Sequence, residues 1–382
     1  MFFSIINMTV KKGENMNLDN GRISQRQAFR IGVLENIAVA IVVIPYITVN
    51  VAGRLHFCAF LAGLLMSFIY ASILFFYTKK MPDGVLEGIN IAFGRFAKVV
   101  DVVYVMRYVL RVAIILMFFG TVIKEYMLKD LNIWLLVVPF AFVCGYGALR
   151  DIEKRGRLLE LLFWWMIVPL ILVAVFSITN IRWREIPGQI FGLQNDTISS
   201  GSISEVLFAG YLVALVLSSC ELLMFTVTKQ KTNSWRNAVK TIVWIFIAVL
   251  FAYLFIIGIL GGRWVAQSAT TALNVMEASA FPGGLIERMD YPVLSFWIIG
   301  MFATISGYMF YAKEFAGELF ETTKETTISL LMLVIVALVI VVAVGIYIWN
   351  FPKWIAWYMV WGDLLISLVV PFVELIIKSV KE

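Results

Sequence analysis

The sequence predicts an all-α polytopic membrane protein with ten transmembrane helices. Its 382 residues are 61% hydrophobic and 15% charged, and the mean hydropathy is +0.90. Soluble domains carry about 25% charged residues. Runs of roughly 20 apolar residues recur along the chain, and each can cross a bilayer core about 30 Å thick. Because the runs are unbroken, whereas barrel strands would alternate over about ten residues, the spans are predicted to be helical.

Short polar connections separate the predicted spans. Trp and Tyr cluster near the span ends, as they do at membrane interfaces. In chain order the spans cover about 26–51, 55–78, 99–123, 131–149, 158–180, 205–228, 238–261, 292–319, 327–349 and 354–378.

Lys and Arg predict the orientation of the chain, which carries a net charge of +6. They concentrate in alternate connections, starting with the N-terminal segment, and this places both termini in the cytoplasm. We therefore expect cytoplasmic tails at 1–25 and 379–382 around one transmembrane domain, 26–378. The basic residues form no continuous face, so the expected environment is a lipid bilayer and not nucleic acid.

Few residues of the chain suit a catalytic centre. The chain has one His, and its three cysteines, Cys58, Cys144 and Cys220, all fall within predicted spans. No Cys/His metal spacing, phosphate-binding loop or dinucleotide fingerprint is present in the sequence. We expect no enzyme activity, no metal site and no cofactor.

The outer connection 181–204 is rich in Gly, Ser, Asn and Asp and divides the spans five plus five. The resulting halves, 26–180 and 205–378, predict an inverted-repeat transporter architecture of the LeuT-like type. In such folds the first helix of each half is broken near mid-membrane, and its freed backbone groups contact the substrate.

The first and sixth spans each contain a candidate for such a break. Pro45 removes a backbone donor in the first span. The sixth span contains Ser218-Ser-Cys-Glu221, whose side chains can bond locally to the backbone and so favour an interruption. Two alternatives stay open: Pro45 could be a simple kink, and Ser218 and Ser219 could be small residues for helix packing.

Charged residues inside three spans predict a polar interior. In the third span, Asp101, Tyr104, Tyr108 and Arg111 fall on one face within an arc of about 80°, and Arg107 widens the arc to about 120°. At 1.5 Å per residue, Glu35, Arg107, Arg111 and Glu221 lie ~10–18 Å from the cytoplasmic ends of their spans.

A charge facing lipid would cost a few kcal/mol, so these four side chains are expected to meet inside the bundle. The depths pair Glu35 or Glu221 with Arg107 or Arg111. Two interpretations stay open: the charges only hold helices together, or one acid recognises a ligand ammonium or carries a coupling proton.

Several stretches, in order, resemble spore germinant receptor B subunits. Ile23-Ser-Gln-Arg-Gln-Ala-Phe29 is similar to the family's polar opening, and Ala38–Pro45 to its Gly-Ser-Ala-Ile-Leu-Leu-Leu-Pro segment. Ser219–Leu223 is similar to a Gly-Phe-Glu segment. The stretch 281–291, followed by Trp297, is similar to a Leu-Glu-Arg-Leu-Asp…Trp segment. This endospore germination permease family lies within the amino acid–polyamine–organocation superfamily.

The resemblance implies a transporter-like fold that senses a small nutrient, often an amino acid, at the spore inner membrane. It also implies the receptor's A and C subunits as partners. The ligand-binding residues it implies are Ala38, Val39, Ala40, Ile41, Ser218, Ser219, Cys220 and Glu221, with Tyr104 or Tyr108. Where the family has Gly-Ser, this chain has Ala38-Val39, which let the backbone unwind less readily.

Three functions follow as alternatives. The first is a germinant-sensing membrane subunit, and the second is a proton-coupled transporter of an amino acid or amine. The third is a scaffold subunit that binds no solute.

Overall fold

A computed structural model describes residues 21–80, 85–126, 128–178, 181–184, 186–190, 201–230, 235–267, 290–321, 324–351 and 353–381. Residues 1–20 of the tail predicted at 1–25, and residues 185 and 191–200 of the connection predicted at 181–204, lie outside these ranges. The stretch 281–289 used in the family resemblance also lies outside them.

The described residues are almost entirely helical. The α-helices are α1 Gln25–Ala52, α2 His56–Lys80, α3 Val85–Phe93, α4 Ala97–Tyr126, α5 Trp134–Leu149, α6 Ile152–Ser177, α7 Ile186–Ile190, α8 Ile203–Leu217, α9 Glu221–Thr228, α10 Trp235–Leu260, α11 Gly262–Val265, α12 Asp290–Leu319, α13 Glu325–Ile348, α14 Lys353–Trp357 and α15 Asp363–Lys381. Turns of 3-10 helix occupy Gly53–Leu55, Gly94–Phe96 and Ser218–Cys220, and a π-helical turn occupies Tyr358–Gly362. Ile23 and Gln230 form an isolated parallel bridge.

Six helical stretches within the described ranges are long and apolar enough to cross a membrane. They are Gln25–Lys80, Gly88–Tyr126, Ile203–Thr228, Arg236–Leu260, Glu325–Ile348 and Lys353–Ile377. The first stretch contains both α1 and α2. Helices also lie over the other predicted spans, and the count of ten spans stays a prediction.

Helix α1 lies inside the bundle and organises it. Its start is set by a capping box, in which the Ser24 side chain accepts from the Gln27 backbone and the Gln27 side chain accepts in return. It ends at Gly53, whose φ of 55° suits glycine. Between these ends α1 packs against α6, α8, α10 and α12, and its Glu35 side chain is buried among them.

The break predicted at Pro45 is not observed, because α1 is continuous from Gln25 to Ala52. A proline removes one backbone donor, and the rest of the helix remains bonded around it. The Thr48 hydroxyl lies 3.0 Å from the carbonyl oxygens of both Ile44 and Pro45 and supports this turn. The absence of glycine at Ala38 also favours a continuous helix.

The sixth predicted span changes helix type instead of unwinding. Helix α8 ends at Leu217, a 3-10 turn covers Ser218–Cys220, and α9 begins at Glu221. The Ser218 hydroxyl donates to the Leu215 carbonyl at 2.6 Å, a local bond that competes with regular helix bonding. The interruption therefore follows from local side-chain chemistry.

Helices α2 and α8 approach each other closely at two glycines. A Cβ atom at Gly63 would lie 2.4 Å from the Cβ of Val213 and 2.8 Å from the carbonyl oxygen of Gly210. Small residues of this kind let helices pack tightly where lipid supplies no hydrophobic driving force. This contact holds the sixth span against the second.

The last span is joined to the bundle along one polar face. Asp363, Ser367 and Glu374 are buried on α15, whereas Leu365 and Phe372 on the same helix are exposed. The π-helical turn precedes Asp363, and the Tyr211 hydroxyl of α8 donates to the carbonyl oxygen of Val360 within it. No feature of the sequence predicted this turn, and Asp363, which follows it directly, lies in the bundle interior.

Candidate functional site

A buried cluster of four charged side chains lies beside the 3-10 turn of the sixth span. Arg107 on α4 donates from Nη1 and Nη2 to the Glu221 carboxylate at 2.9 and 2.7 Å. Its Nε donates to Asp363 Oδ1 on α15 at 2.8 Å. One guanidinium therefore joins the third, sixth and last predicted spans.

Arg111 lies one turn further along α4 and completes the cluster. Its Nη2 donates to Asp363 and to the Ser218 hydroxyl. Its Nη1 donates to the hydroxyl of Tyr308 on α12. Asp363 thus bridges both arginines, and the 3-10 turn is bonded directly to one of them.

Hydroxyl groups surround the charges. The Tyr70 hydroxyl on α2 lies 3.2 Å from Glu221 Oε2 and 3.0 Å from the Ser367 hydroxyl. The Tyr308 hydroxyl donates to the Ser219 hydroxyl at 2.9 Å. These hydroxyl groups lie on α2, α12, α15 and the 3-10 turn, so the hydrogen bonds around the cluster join four helical segments.

The four charges balance, two positive and two negative, and none is more than 4% exposed. Such a cluster pays a large desolvation penalty, which charge pairing and hydrogen bonds offset. Removing one partner leaves a buried charge uncompensated, which costs about 3–5 kcal/mol. The same balance means that a charged solute entering here must exchange contacts with a protein side chain.

The predicted tyrosines of α4 lie beside the cluster. The Arg107 guanidinium lies 5.5 Å from the Tyr108 ring and 5.8 Å from the Tyr104 ring. Tyr104 stacks on Phe315, with ring centroids 4.6 Å apart. The buried Tyr108 hydroxyl has no hydrogen-bond partner among the described residues, so it is available to a further polar group.

The predicted segment of α1 contributes helical backbone. Ala38 and Ala40 are buried, whereas Val39 and Ile41 are half-buried. The carbonyl oxygen of Ala38 accepts from Trp297 Nε1 at 2.9 Å. Cys220, predicted with the sixth span, is buried at the end of the 3-10 turn. The freed backbone expected in the first span is therefore not observed.

Glu35 lies outside the cluster, which differs from the expected pairing with Arg107 or Arg111. Its Oε1 lies 2.7 Å from Arg155 Nη2 on α6. Arg155 falls in the connection between the predicted spans 131–149 and 158–180, but α6 begins at Ile152 and carries it inside the bundle. Depth along a span does not report which way a side chain points.

Several buried charges have no counterpart among the predicted site residues, and Asp363 and Arg155 are the two that contact the predicted charges. Asp363 lies within the predicted span 354–378, so the test applied to Glu221, a charge inside an apolar run, would have found it. Arg155 carried no such signal, because it belongs to a run of charged residues before the apolar segment. Among the described residues, no group of three or more His, Cys, Asp or Glu side chains could hold a metal ion.

Solved structures of transporters share this fold. A Na⁺-coupled sialic acid symporter in a substrate-bound outward-open state is 11% identical to this chain, with a TM-score of 0.64. The match covers 91% of this chain and 79% of the symporter. MhsT in complex with L-phenylalanine is 12% identical, covers 94% and 99%, and has a TM-score of 0.64. A manganese transporter of Eremococcus coleocola is 14% identical, covers 94% and 80%, and has a TM-score of 0.55. At these identities the likeness establishes a LeuT-like fold and an integral membrane protein.

Sequence comparisons identify the family. The spore germination protein YndE of Bacillus subtilis (strain 168) is 22% identical over 193 residues. That match spans 48% of this chain and 48% of YndE, about half the length of each. A family model described as "Spore germination protein" matches residues 22–347, which is most of the chain. The chain belongs to this spore germination protein family of permeases.

Proposed function

We propose that this chain is the membrane subunit of a spore germinant receptor that binds a small nutrient solute, an amino acid or a related amine. The observation that carries the proposal is the buried charge cluster of Arg107, Arg111, Glu221 and Asp363 at the interrupted sixth span. Polar groups of both signs stand together in the interior of a transporter-like fold, where a zwitterion could exchange contacts with them.

The proposed ligand-binding residues come from three helices. They are Ala38, Val39, Ala40 and Ile41 of α1, Tyr104 and Tyr108 of α4, and Ser218, Ser219, Cys220 and Glu221 of the sixth span. The solute's anionic end would meet an arginine of the cluster, and its ammonium would meet Glu221. The Tyr108 hydroxyl, which has no hydrogen-bond partner in the part of the chain that the structure describes, supports a polar contact on the α4 side.

The proposed architecture is five plus five spans in an inverted repeat. Residues 26–180 form the first repeat, 181–204 the outer linker and 205–378 the second repeat, with 1–25 and 379–382 in the cytoplasm. The proposed location is the cell membrane or the spore inner membrane. The LeuT-like fold of the neighbours and the Lys/Arg distribution support this arrangement.

The proposed partners are the receptor's A and C subunits. Solute binding would favour one arrangement of the helices joined by the cluster, and that bias would pass to the partners. A ligand achieves this only through unequal affinity for the two arrangements. Because Asp363 belongs to the last span, exchange of its arginine contacts would change how that span is held.

The test is solute binding by purified full-length protein. We expect amino acids or amines to give saturation-transfer NMR signals and to raise the unfolding temperature. The variant Glu221→Gln should lose both responses, whereas the control Glu160→Gln, at the partly exposed pair with Arg26 and Arg30, should keep them. Binding that survives unchanged in a folded Glu221→Gln protein would refute the role of Glu221.

A second candidate is a proton-coupled amino acid or amine transporter. The transporters among the structural neighbours favour it. Uptake of a labelled solute into proteoliposomes that contain this protein alone would support transport. Solute binding without uptake would support the sensing role.

A further inference from the structure

The Glu35–Arg155 pair is a second buried charge site, separate from the cluster. Glu35 lies on α1 and Arg155 on α6, and both are 1% exposed. The atoms Glu35 Oε1 and Arg155 Nη2 lie 2.7 Å apart. Arg155 Nη2 also donates to the carbonyl oxygen of Ala303 on α12 at 3.2 Å. The pair therefore sits where α1, α6 and α12 meet.

The polar atoms of this pair are poorly satisfied. Within the described part of the chain, the 2.7 Å contact with Arg155 is the polar contact of the Glu35 carboxylate, and its Oε2 has no partner. Arg155 Nε and Nη1 also lack partners there. Glu221, in contrast, accepts two bonds from Arg107 and lies within reach of Tyr70. Compared with Glu221, Glu35 therefore has the less well stabilised negative charge.

The close packing around the Glu35 carboxylate limits the size of any ligand that could bind there. A Cβ atom at Gly307 on α12 would lie 2.7 Å from Glu35 Oε1 and 3.1 Å from Arg155 Nη2. This close approach leaves little room beside the carboxylate. The guanidinium also repels a metal cation at that position. A proton requires no volume and no coordination shell.

We propose that Glu35 is a proton-binding site gated by its contact with Arg155. A proton from water adds to one carboxylate oxygen and gives a neutral carboxylic acid, while Arg155 keeps its charge and its bond to the Ala303 carbonyl. The ion pair is lost, and no other bond is made or broken. A proton at Glu35 is compatible with sensing or with transport and can be tested without any solute.

Few other ionisable groups lie near the Glu35 carboxylate. Within the described residues, Arg155 on α6 is the charged side chain that interacts with it, and Tyr311 on α12 is a second titratable side chain nearby. The Tyr311 hydroxyl lies 2.9 Å from that of Thr226 on α9. The Thr304 hydroxyl on α12 donates to the backbone carbonyl of Glu35 at 2.9 Å, and this bond does not depend on the carboxylate.

Protonation would weaken the attachment of α1 to α6. Near the cytoplasmic end these helices are also joined by Arg26 and Arg30 to Glu160, at 2.7 and 2.6 Å. In those pairs α1 carries the arginine, whereas in the buried pair α1 carries the acid. A proton at Glu35 therefore removes the innermost contact and leaves the outer ones intact.

Infrared difference spectroscopy of the purified full-length protein tests the site. As the pH is lowered, we expect a carboxylic acid C=O band that is lost in Glu35→Gln and displaced in frequency in Glu35→Asp. The band should remain in the controls Glu221→Gln and Glu160→Gln. A band that is unchanged in both Glu35 variants, or one lost in Glu221→Gln, would overturn the proposal.

Hydrogen–deuterium exchange tests the consequence for the helices. Compared at equal intrinsic exchange rates, amides of the first half of α1 should exchange faster at low pH in the wild-type protein. In Glu35→Gln they should exchange faster at every pH, with no further effect of acid. If Glu35→Gln does not fold, Glu35→Asp should retain the pH effect with a shifted midpoint. Exchange that responds to acid equally in the wild type and in Glu35→Gln would refute the proposed gating.

Discussion

The charge balance of the cluster makes Asp363 the most informative residue to change. Asp363→Asn keeps the size of the side chain and removes its charge. Arg111 then loses its acidic partner within the cluster, and Glu221 alone faces two guanidinium groups. The substitution therefore leaves one uncompensated positive charge in a region where all four groups are at most 4% exposed.

The expected loss of stability is about 3–5 kcal/mol, the range for breaking a buried pair by removing one partner. A companion variant, Ser367→Ala, lies one turn away on the same face of α15. It removes a hydroxyl that accepts from Tyr70 and donates to the Leu364 carbonyl, two uncharged hydrogen bonds of about 0.5–1.5 kcal/mol each, so its expected loss is smaller, about 1–3 kcal/mol. The difference between the stability losses of the two variants separates the effect of removing a charge from the effect of changing a polar contact on the same face of α15.

The assay is reversible denaturant unfolding of the purified protein in detergent. The double variant Asp363→Asn with Arg111→Gln restores neutrality, so its loss should be smaller than the sum of the two single losses. Coupling in a buried charged network is about 0.5–3 kcal/mol. Two results would refute a stabilising role for charge balance in the cluster. One is a loss of unfolding free energy in Asp363→Asn no larger than that in Ser367→Ala, and the other is strictly additive losses in the double variant.

Three further substitutions test how the helices are held. Gly63→Ala would force α2 away from α8 because its Cβ would lie 2.4 Å from a valine atom, and overpacking of this kind costs about 1–3 kcal/mol. Gly345→Ala, whose nearest contact would be 3.7 Å, should have little effect on thermal unfolding, and equal effects would contradict the packing argument. Tyr253→Phe removes a hydroxyl that lies 3.1 Å from the Thr48 hydroxyl and 2.7 Å from His56 Nδ1. It should lower the unfolding free energy by about 1–3 kcal/mol, and an unchanged value would exclude a stabilising role for these bonds.

Local chemistry explains which parts of this fold were predictable. The 3-10 turn in the sixth span lies at Ser218–Cys220 because a serine hydroxyl bonds the preceding carbonyl within one helical turn. The break expected at Pro45 did not follow, because one missing donor does not unwind a helix whose neighbours support it. The π-helical turn before Asp363 had no comparable signal in the sequence.

The amino-acid sequence by itself determined that this chain is helical, apolar and interrupted near Glu221, because these properties depend on hydropathy and on bonds within one turn. Only the tertiary structure decided which charges meet. Arg107 and Glu221 are 114 positions apart, and Arg107 and Asp363 are 256 apart. Their contacts depend on the rotation and packing of whole helices. A charge inside an apolar run requires a partner, but its depth along one helix does not identify that partner.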